Sequence, residues 1–395
     1  MTAEIRFINH ACFLIENEEE SVIFDPWFFG KVFNDSWSLL RETEKIDYEK
    51  IKFIIITHEH PDHLHWPTLK KIIENTSREI NVLLPLRKNK NVANNLRKIG
   101  FKCAEIPPNK EFKLNNFLSI SNYPTGHDSA YVFKVNDKVY LNQNDCQLSR
   151  SQCVLIKNKY PKIDFWFMQF SLAGYYANKD DVQGLTEAKS FHKNMIRKYY
   201  DYFKPKVVIP FASFIYFCKE YNKFLNDYII NINEIIKDLG DLPLQILFYE
   251  DQLLYEDCGE RNKINNLKWQ RVFLGEKPIL EHKSKNNEDI LKEANELISF
   301  VNTKRRNKPE QTYFRLYDKK QIFMLDLARN KAAFVDEDTV PSSKIAGVLH
   351  SEDLLFFLKF PWGADTLNIT SCFEVKNPRL WRQILIFKDQ LYERF

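Results

Sequence analysis

The stretch IITHEHPDHLHW, residues 55–66, sets four of the chain's nine histidines together with Glu59 and Asp62, directly after the apolar run FIII. His58 and His60 are two apart, so on an extended segment their side chains point the same way. Asp62 and His63 follow at the mouth of the next element. Neutral imidazole and carboxylate are the donors that zinc and iron accept, and three or four of them make a catalytic site with open positions. A cation held this way acidifies bound water toward neutral pH. His58, His60, Asp62 and His63 are therefore read as metal ligands. Asp62 is also the catalytic candidate, because it can orient or deprotonate that water. His65 breaks the H-x-H-x-D-H spacing and is expected to point elsewhere.

These residues need a rigid platform. KIKFIII-type lead-in residues before Thr57 read as a buried strand, and LHWPTLKKIIENTS has the apolar spacing of a helix. The loop is thus a strand-to-helix connection. AEIRFINHACFLIE and SVIFDPW flank a polar NEEE turn as a hairpin. Further strands are NVLLPL, KCAEIP, LSISNYP, SAYVFKVNDKVYLNQND, DFWFMQF and PKVVIPFASF; LTEAKSFHKNMIRKYYDYF is a helix. Strands that are apolar throughout and alternate with helices argue for a layered α/β protein with sheet buried between helices.

The chain has 395 residues, which favours two domains. Residues 1–255 form the expected first domain. Residues 256–395 form a smaller α+β domain, with a helix at NEDILKEANELISFVNTKRR and a strand meander over 311–337. A helix is expected at SEDLLFFLKF with Ser351 as its cap, a turn and strand at PWGADTLNITSCFEV, and a closing helix at PRLWRQILIFKDQLYERF. The net charge of +4 is too weak and too scattered to indicate a nucleic-acid partner. The runs ENEEE and TKRRNK read as solvated loops. The seven cysteines are odd in number, dispersed and free of CxxC pairs, so they are expected to be reduced thiols of a cytoplasmic protein rather than a disulfide or zinc-ribbon framework. No signal peptide or membrane span is read.

At His58-x-His60-x-Asp62-His63 the chain resembles the metallo-β-lactamase fold superfamily. The resemblance implies a four-layer αβ/βα sandwich with metal at one edge of two facing sheets. It implies further ligands: His127, after the glycine of YPTGHDSAYVF, and Asp145, in KVYLNQNDC, 18 residues later, as a bridging carboxylate. It implies that His10, in INHACFLIE, and Asp25, in FDPWF, support the site from behind the ligands. His58, His60 and His127 would then hold one metal, and Asp62, His63 and Asp145 the other. The family's last histidine has no counterpart in IYFCKEYNKF, residues 215–224. Either Glu220 stands in, or the second metal is held by Asp62, His63, Asp145 and water, or it binds weakly or not at all. The expected cofactor is one or two divalent ions, zinc first; added oxygen donors would favour iron or manganese.

DPWFFGKVFNDSWSLL, DFWFMQFSLAGYY and PFASFIYF are similar to the branch containing ascorbate-6-phosphate lactonases, N-acylphosphatidylethanolamine phospholipases and the β-lactamase-like part of CMP-N-acetylneuraminate hydroxylases. PWGADTL resembles part of a sterol-carrier-like module. These likenesses imply a small-molecule substrate and a hydrolase, in which metal-bound hydroxide attacks a phosphodiester, lactone or amide. Two alternatives stand beside it: a di-iron oxygenase of a biosynthetic pathway, and a degenerate module that only binds. The aromatic clusters DPWFFGKVF and WFMQFSLAGYY are candidate walls for a bulky or sugar-like substrate. A homo-oligomer is left open. Asp62 is expected to be dispensable for folding, as part of a solvent-facing loop.

Overall fold

The structure, a computed structural model, describes residues 3–391 except 44, 256, 257 and 304–306. Its centre is a pair of six-stranded sheets. The first runs Glu4–Asn9, Cys12–Glu16, Ser21–Phe24, Ile51–Ile55, Asn81–Pro85, Lys102–Ile106, with two antiparallel pairings and then three parallel ones. The second runs Val207–Phe211, Phe165–Gln169, Lys138–Asn144, Asp128–Val135, Leu118–Thr125, Glu111–Lys113, parallel at first and then antiparallel.

The strand Cys12–Glu16 shows how four layers arise. Successive side chains point to opposite faces. Phe13 and Ile15 enter the core between the sheets, while Cys12 and Leu14 pack under the helices Trp66–Glu74 and Asn91–Lys98. Both faces are covered, so the strand is apolar at nearly every position. Between the sheets the rings of Phe13, Phe24 and Phe167 stack, with centroids 4.5 Å (Phe13–Phe24) and 5.1 Å (Phe13–Phe167) apart. Beyond the second sheet, Trp166 meets Tyr199 of the long helix Val182–Phe203. The order helix, sheet, sheet, helix is the expected α/β sandwich.

A second hydrophobic core is built from residues 290–391. Its five-stranded sheet runs Lys331–Asp336, Gln321–Asp326, Thr312–Leu316, Ile345–Leu349, Phe373–Val375, with only Thr312–Leu316 and Ile345–Leu349 parallel. The helix Gly259–Leu274 precedes this core but buries Trp269 in the first one, stacked on Phe214 at 4.2 Å. We therefore take the first packing unit to continue through that helix. The expected border at 255/256 adjoins residues 256 and 257, which lie outside the described residues, as do 304–306 of the basic run and the last four residues of the expected closing helix.

Two local expectations are corrected. The cap of helix Ser351–Lys359 is His350, whose ring accepts from the Glu352 amide; Ser351 is the first helical residue. Within the expected turn and strand over 361–375, Phe373–Val375 is a strand but residues Gly363–Thr370 form a helix. Its β-branched residues read as a strand, but Ala364 and Leu367, one helical turn apart, pack into the second core. Tertiary burial overrides the weak local propensity.

Candidate metal centre

The strand Ile51–Ile55 ends at the loop of residues 57–65, and the helix Trp66–Glu74 follows. His65 caps that helix: its Nδ1 accepts from the Thr68 amide at 3.3 Å. Burial pushes the His65 ring down to about 4, so it is neutral and able to accept. It points away from the other histidines, as the spacing implied.

Asp25 anchors the loop. One carboxylate oxygen accepts from the Thr57 amide at 2.8 Å; the other accepts from the Thr57 hydroxyl at 2.7 Å and lies 2.9 Å from His63 Nδ1. That leaves His63 Nε2 aimed at Asp62 and Asp145, at 3.4 and 3.3 Å. A carboxylate behind an imidazole fixes its tautomer and its orientation toward a cation. His10 Nε2 meets Asp62 Oδ2 at 3.1 Å. His58 Nε2 and His60 Nδ1 face each other at 2.9 Å.

Two compact donor sets result. His58, His60 and Asp145 present atoms within 4.8 Å of one another, and so do His10, Asp62 and His63. Three residues bordering them hold left-handed backbone: His10 (φ 27°), Asp25 (φ 42°) and Asn144 (φ 41°). Each costs of the order of 1 kcal/mol and persists where surrounding bonds fix it. Ala212 donates to the His10 carbonyl at 2.9 Å, and Asp25 donates to the Ile55 carbonyl at 3.0 Å. Asn144 ends its strand at a register shift, turning Asp145 toward the loop.

Whether these donors suit a metal can be judged from what they lack. Oδ1 of Asp62, Asp128 and Asp145 and Nδ1 of His10 are buried with no hydrogen-bond partner. Buried carboxylate oxygens are costly without a partner, and a cation satisfies several at once. Burial and the charges of His63 and His60 hold the His58 ring well below the usual range, hence neutral as a ligand must be. For His60, burial opposes charge, but the hydrogen bond and charge of Asp365 with the charges of Asp62 and Asp128 outweigh it and push the ring up to about 9. His63 is also raised: burial again opposes, and Asp62, Asp145 and Asp25 prevail.

A pH dependence follows. Below about pH 9 the metal-free protein carries imidazolium that a metal must displace. Apparent metal affinity should rise with pH up to that point, about tenfold per unit for each proton released. Calorimetry in buffers of different ionisation enthalpy should detect the released protons; binding with no proton release would contradict the assignment.

The remaining expected residues are placed as follows. His127 sits at the exposed tip between the strands Leu118–Thr125 and Asp128–Val135, on the wall of the same cleft, and is in neither compact donor set among the described residues. Arg87 holds that tip by donating to the carbonyls of Gly126, at 2.8 Å, and His127. Glu220 lies at the surface, paired with Lys223 at 2.7 Å. The ligand candidates within the loop are not solvent-facing as expected: His58, Asp62 and His63 are at most 1% exposed, while Glu59 between them is exposed.

Two acids that sequence reasoning passed over reach the site. Asp128 Oδ1 lies 3.8 Å from His58 Nε2. Burial pushes its carboxyl up to about 6 against the pull of His60, with Asp145 adding to the rise. Its position next to His127 was the only signal. Asp365, from the helix of the second core, places Oδ2 3.3 Å from His60 Nε2. It stands behind His60 as Asp25 stands behind His63, leaving Nδ1 free to face His58. Asp365→Asn should weaken metal binding by about 10–100-fold while leaving the metal count at saturation unchanged; unchanged affinity in a competition titration would contradict this role.

The centre opens into a cleft of about 640 Å³ between the two cores. Phe33, Trp66 and Arg87 line one side, and Trp362 and Asp365 the other. Of the two aromatic clusters expected to wall a pocket, only Phe33 does so; Trp27, Trp166 and Phe167 are core residues.

Residues 4–146 match the family model described as a beta-lactamase superfamily domain. Over 72 residues, 18% of this chain, the sequence is 38% identical to the inactive cytidine monophosphate-N-acetylneuraminic acid hydroxylase of Homo sapiens and to the corresponding hydroxylase of Pongo pygmaeus. The match spans only 14% and 12% of those relatives' own length. Similar solved structures include CmlA, a diiron beta-hydroxylase from Streptomyces venezuelae, at 13% identity and TM-score 0.44, covering 64% of this chain and 54% of that one. Another is a possible metal-dependent hydrolase from Veillonella parvula, at 10% identity and TM-score 0.47, covering 64% and 99%. Among the described residues no helix is long and apolar enough to cross a membrane.

Proposed function

We propose, from the match of residues 4–146 to a beta-lactamase superfamily domain, that the chain is a metal-dependent hydrolase acting on a small molecule held in the cleft between its two cores. The observation that carries this reading is the convergence of His58, His60, Asp62, His63 and Asp145, with carboxylate oxygens left unsatisfied, where His58 and His60 line that cleft. These residues would hold one or two divalent ions, which when bound polarise the oxygen that gains charge and bring the pKa of a coordinated water toward neutrality.

The chain's own groups supply the rest. Asp25 and Asp365 orient His63 and His60. Asp62, buried beside His10 and His63, stays ionised: burial works against the charge, and the two histidines outweigh it. Asp128, with its carboxyl near 6, is placed to take up a proton at neutral pH and return it to a leaving group. Phe33, Trp66 and Trp362 line the cleft and supply apolar rings for a bulky or sugar-like substrate.

A second reading, oxidation of a small molecule by an iron-loaded centre, is favoured by a specific observation. The segment shared with hydroxylases of a nucleotide-linked sugar is 38% identical, and the donor set is rich in carboxylate, which suits iron better than zinc. One experiment separates the two. Zinc- and iron-loaded protein is incubated with panels of phosphodiesters, lactones, amides and nucleotide sugars, in labelled water under air and in ordinary water under labelled dioxygen. Hydrolysis places the water label in product without oxygen uptake; oxidation places the dioxygen label there. Stoichiometric metal with neither product would leave the binding module as the better account.

A further inference from the structure

A different donor set lies at the seam between the two cores, away from the cleft. His282, Asp353 and Cys372 each offer one ligand atom, all within 4.8 Å of one another. The side chains of His282 and Asp353 are 2% and 1% exposed, and Cys372 is fully buried. His282 Nε2 approaches Asp353 Oδ2 to 3.0 Å, yet neither atom has a hydrogen-bond partner, and His282 Nδ1 has none either. The two groups are close in distance but not in hydrogen-bond direction, and a shared cation would satisfy both.

The neighbours are already engaged. Asp353 Oδ1 accepts from Asn34 at 2.9 Å, and Lys219 donates to Glu352 at 2.7 Å. His350 caps its helix through Nδ1 and faces Asp318 through Nε2 at 3.6 Å. What remains is one imidazole and one carboxylate oxygen without partners, beside the Cys372 thiol, whose one hydrogen bond is a long one to the Thr370 carbonyl at 3.6 Å. Sulfur and nitrogen donors select zinc over magnesium or calcium; three protein donors leave a fourth position for water, and burial away from the cleft suits a structural ion.

We propose that His282, Asp353 and Cys372 hold a structural zinc ion that fastens the second core to the first. The surrounding contacts cross the same seam: Asn34 reaches Asp353, and Asn222 donates to the carbonyls of Ser36 and Thr370. Cys372 lies just beyond the helix Gly363–Thr370, which carries Asp365 to His60. An ion there fixes the end of that helix and so the far wall of the cleft.

The test uses the full chain with His58→Ala, His60→Ala and Asp62→Ala, which takes donors from both sets of the first centre. This variant should retain one zinc ion per chain after dialysis. Loaded with cobalt, it should show near-ultraviolet sulfur-to-cobalt charge transfer, which nitrogen and oxygen donors alone do not give. Adding Cys372→Ser should abolish the band and the retained ion; should that protein fail to fold, His282→Gln must still reduce retention. Absence of the ion, cobalt bound without the band, or a band that survives Cys372→Ser would each overturn the proposal.

Discussion

Asp62→Ala is expected to lower turnover on the order of 10³-fold or more and to strip the protein of the metal shared with His63. Asp62 Oδ2 lies 3.1 Å from His10 and 3.4 Å from His63 Nε2, and its other oxygen has no partner but the centre itself. Losing an electrostatic group aimed at the reacting atoms typically costs 10²–10³, and losing the ion that acidifies water costs more. The fold should survive with reduced stability. Because Asp62 is buried, its removal strands the His10 ring, at about 1–3 kcal/mol, against a total of about 5–15 kcal/mol for an ordinary domain. Metal analysis and thermal melts read the two effects separately. Asp62→Asn, nearly the same shape, should lose the metal with a smaller drop in melting temperature. Full metal retention in both variants would remove Asp62 from the centre.

The second large effect is on stability. Asp25→Ala should destabilise the protein by about 3 kcal/mol or more and also weaken metal binding. The carboxylate is fully buried and serves three groups: the Thr57 amide, the Thr57 hydroxyl and His63 Nδ1. Removing one partner from such a network leaves buried donors unsatisfied, which costs more than the bonds contribute on balance. Asp25 also sits in left-handed backbone, which alanine adopts less readily. Urea unfolding should show the shift at unchanged slope. Asp25→Asn should recover part of the stability, since its amide oxygen can still accept from Thr57, but not the orientation of His63. A variant as stable as the parent would contradict the anchoring role.

These residues differ in how far sequence alone could reach them. The loop from His58 to His63 was legible because its information is local: residue types, a two-residue spacing, and a strand before it. The layered sheets were legible from the fully apolar strands, which only burial on both faces explains. His10 and Asp25 were found through family resemblance, and the structure explains their place by left-handed backbone and by bonds to the loop. Asp128 and Asp365 were not legible. Asp128 is marked only by its neighbour. Asp365 lies some 300 residues from His60, on a segment whose Pro361 and Gly363 read as a turn, and no local pattern reports which elements meet across two cores. The same applies to His282, Asp353 and Cys372, whose spacing in sequence looks like chance.

The central claim is that imidazoles and carboxylates from separate strands converge on cations at the edge of the paired sheets. Anomalous scattering from a crystal grown with saturating zinc, or with ferrous iron under exclusion of air, tests it most directly. A strong peak bounded by His58 Nε2, His60 Nδ1 and the carboxylates of Asp62 and Asp145 is the expected result. If His58 and His60 instead remain in direct contact, with no anomalous density among these donors, the protein has no metal centre there and the enzymatic reading fails with it.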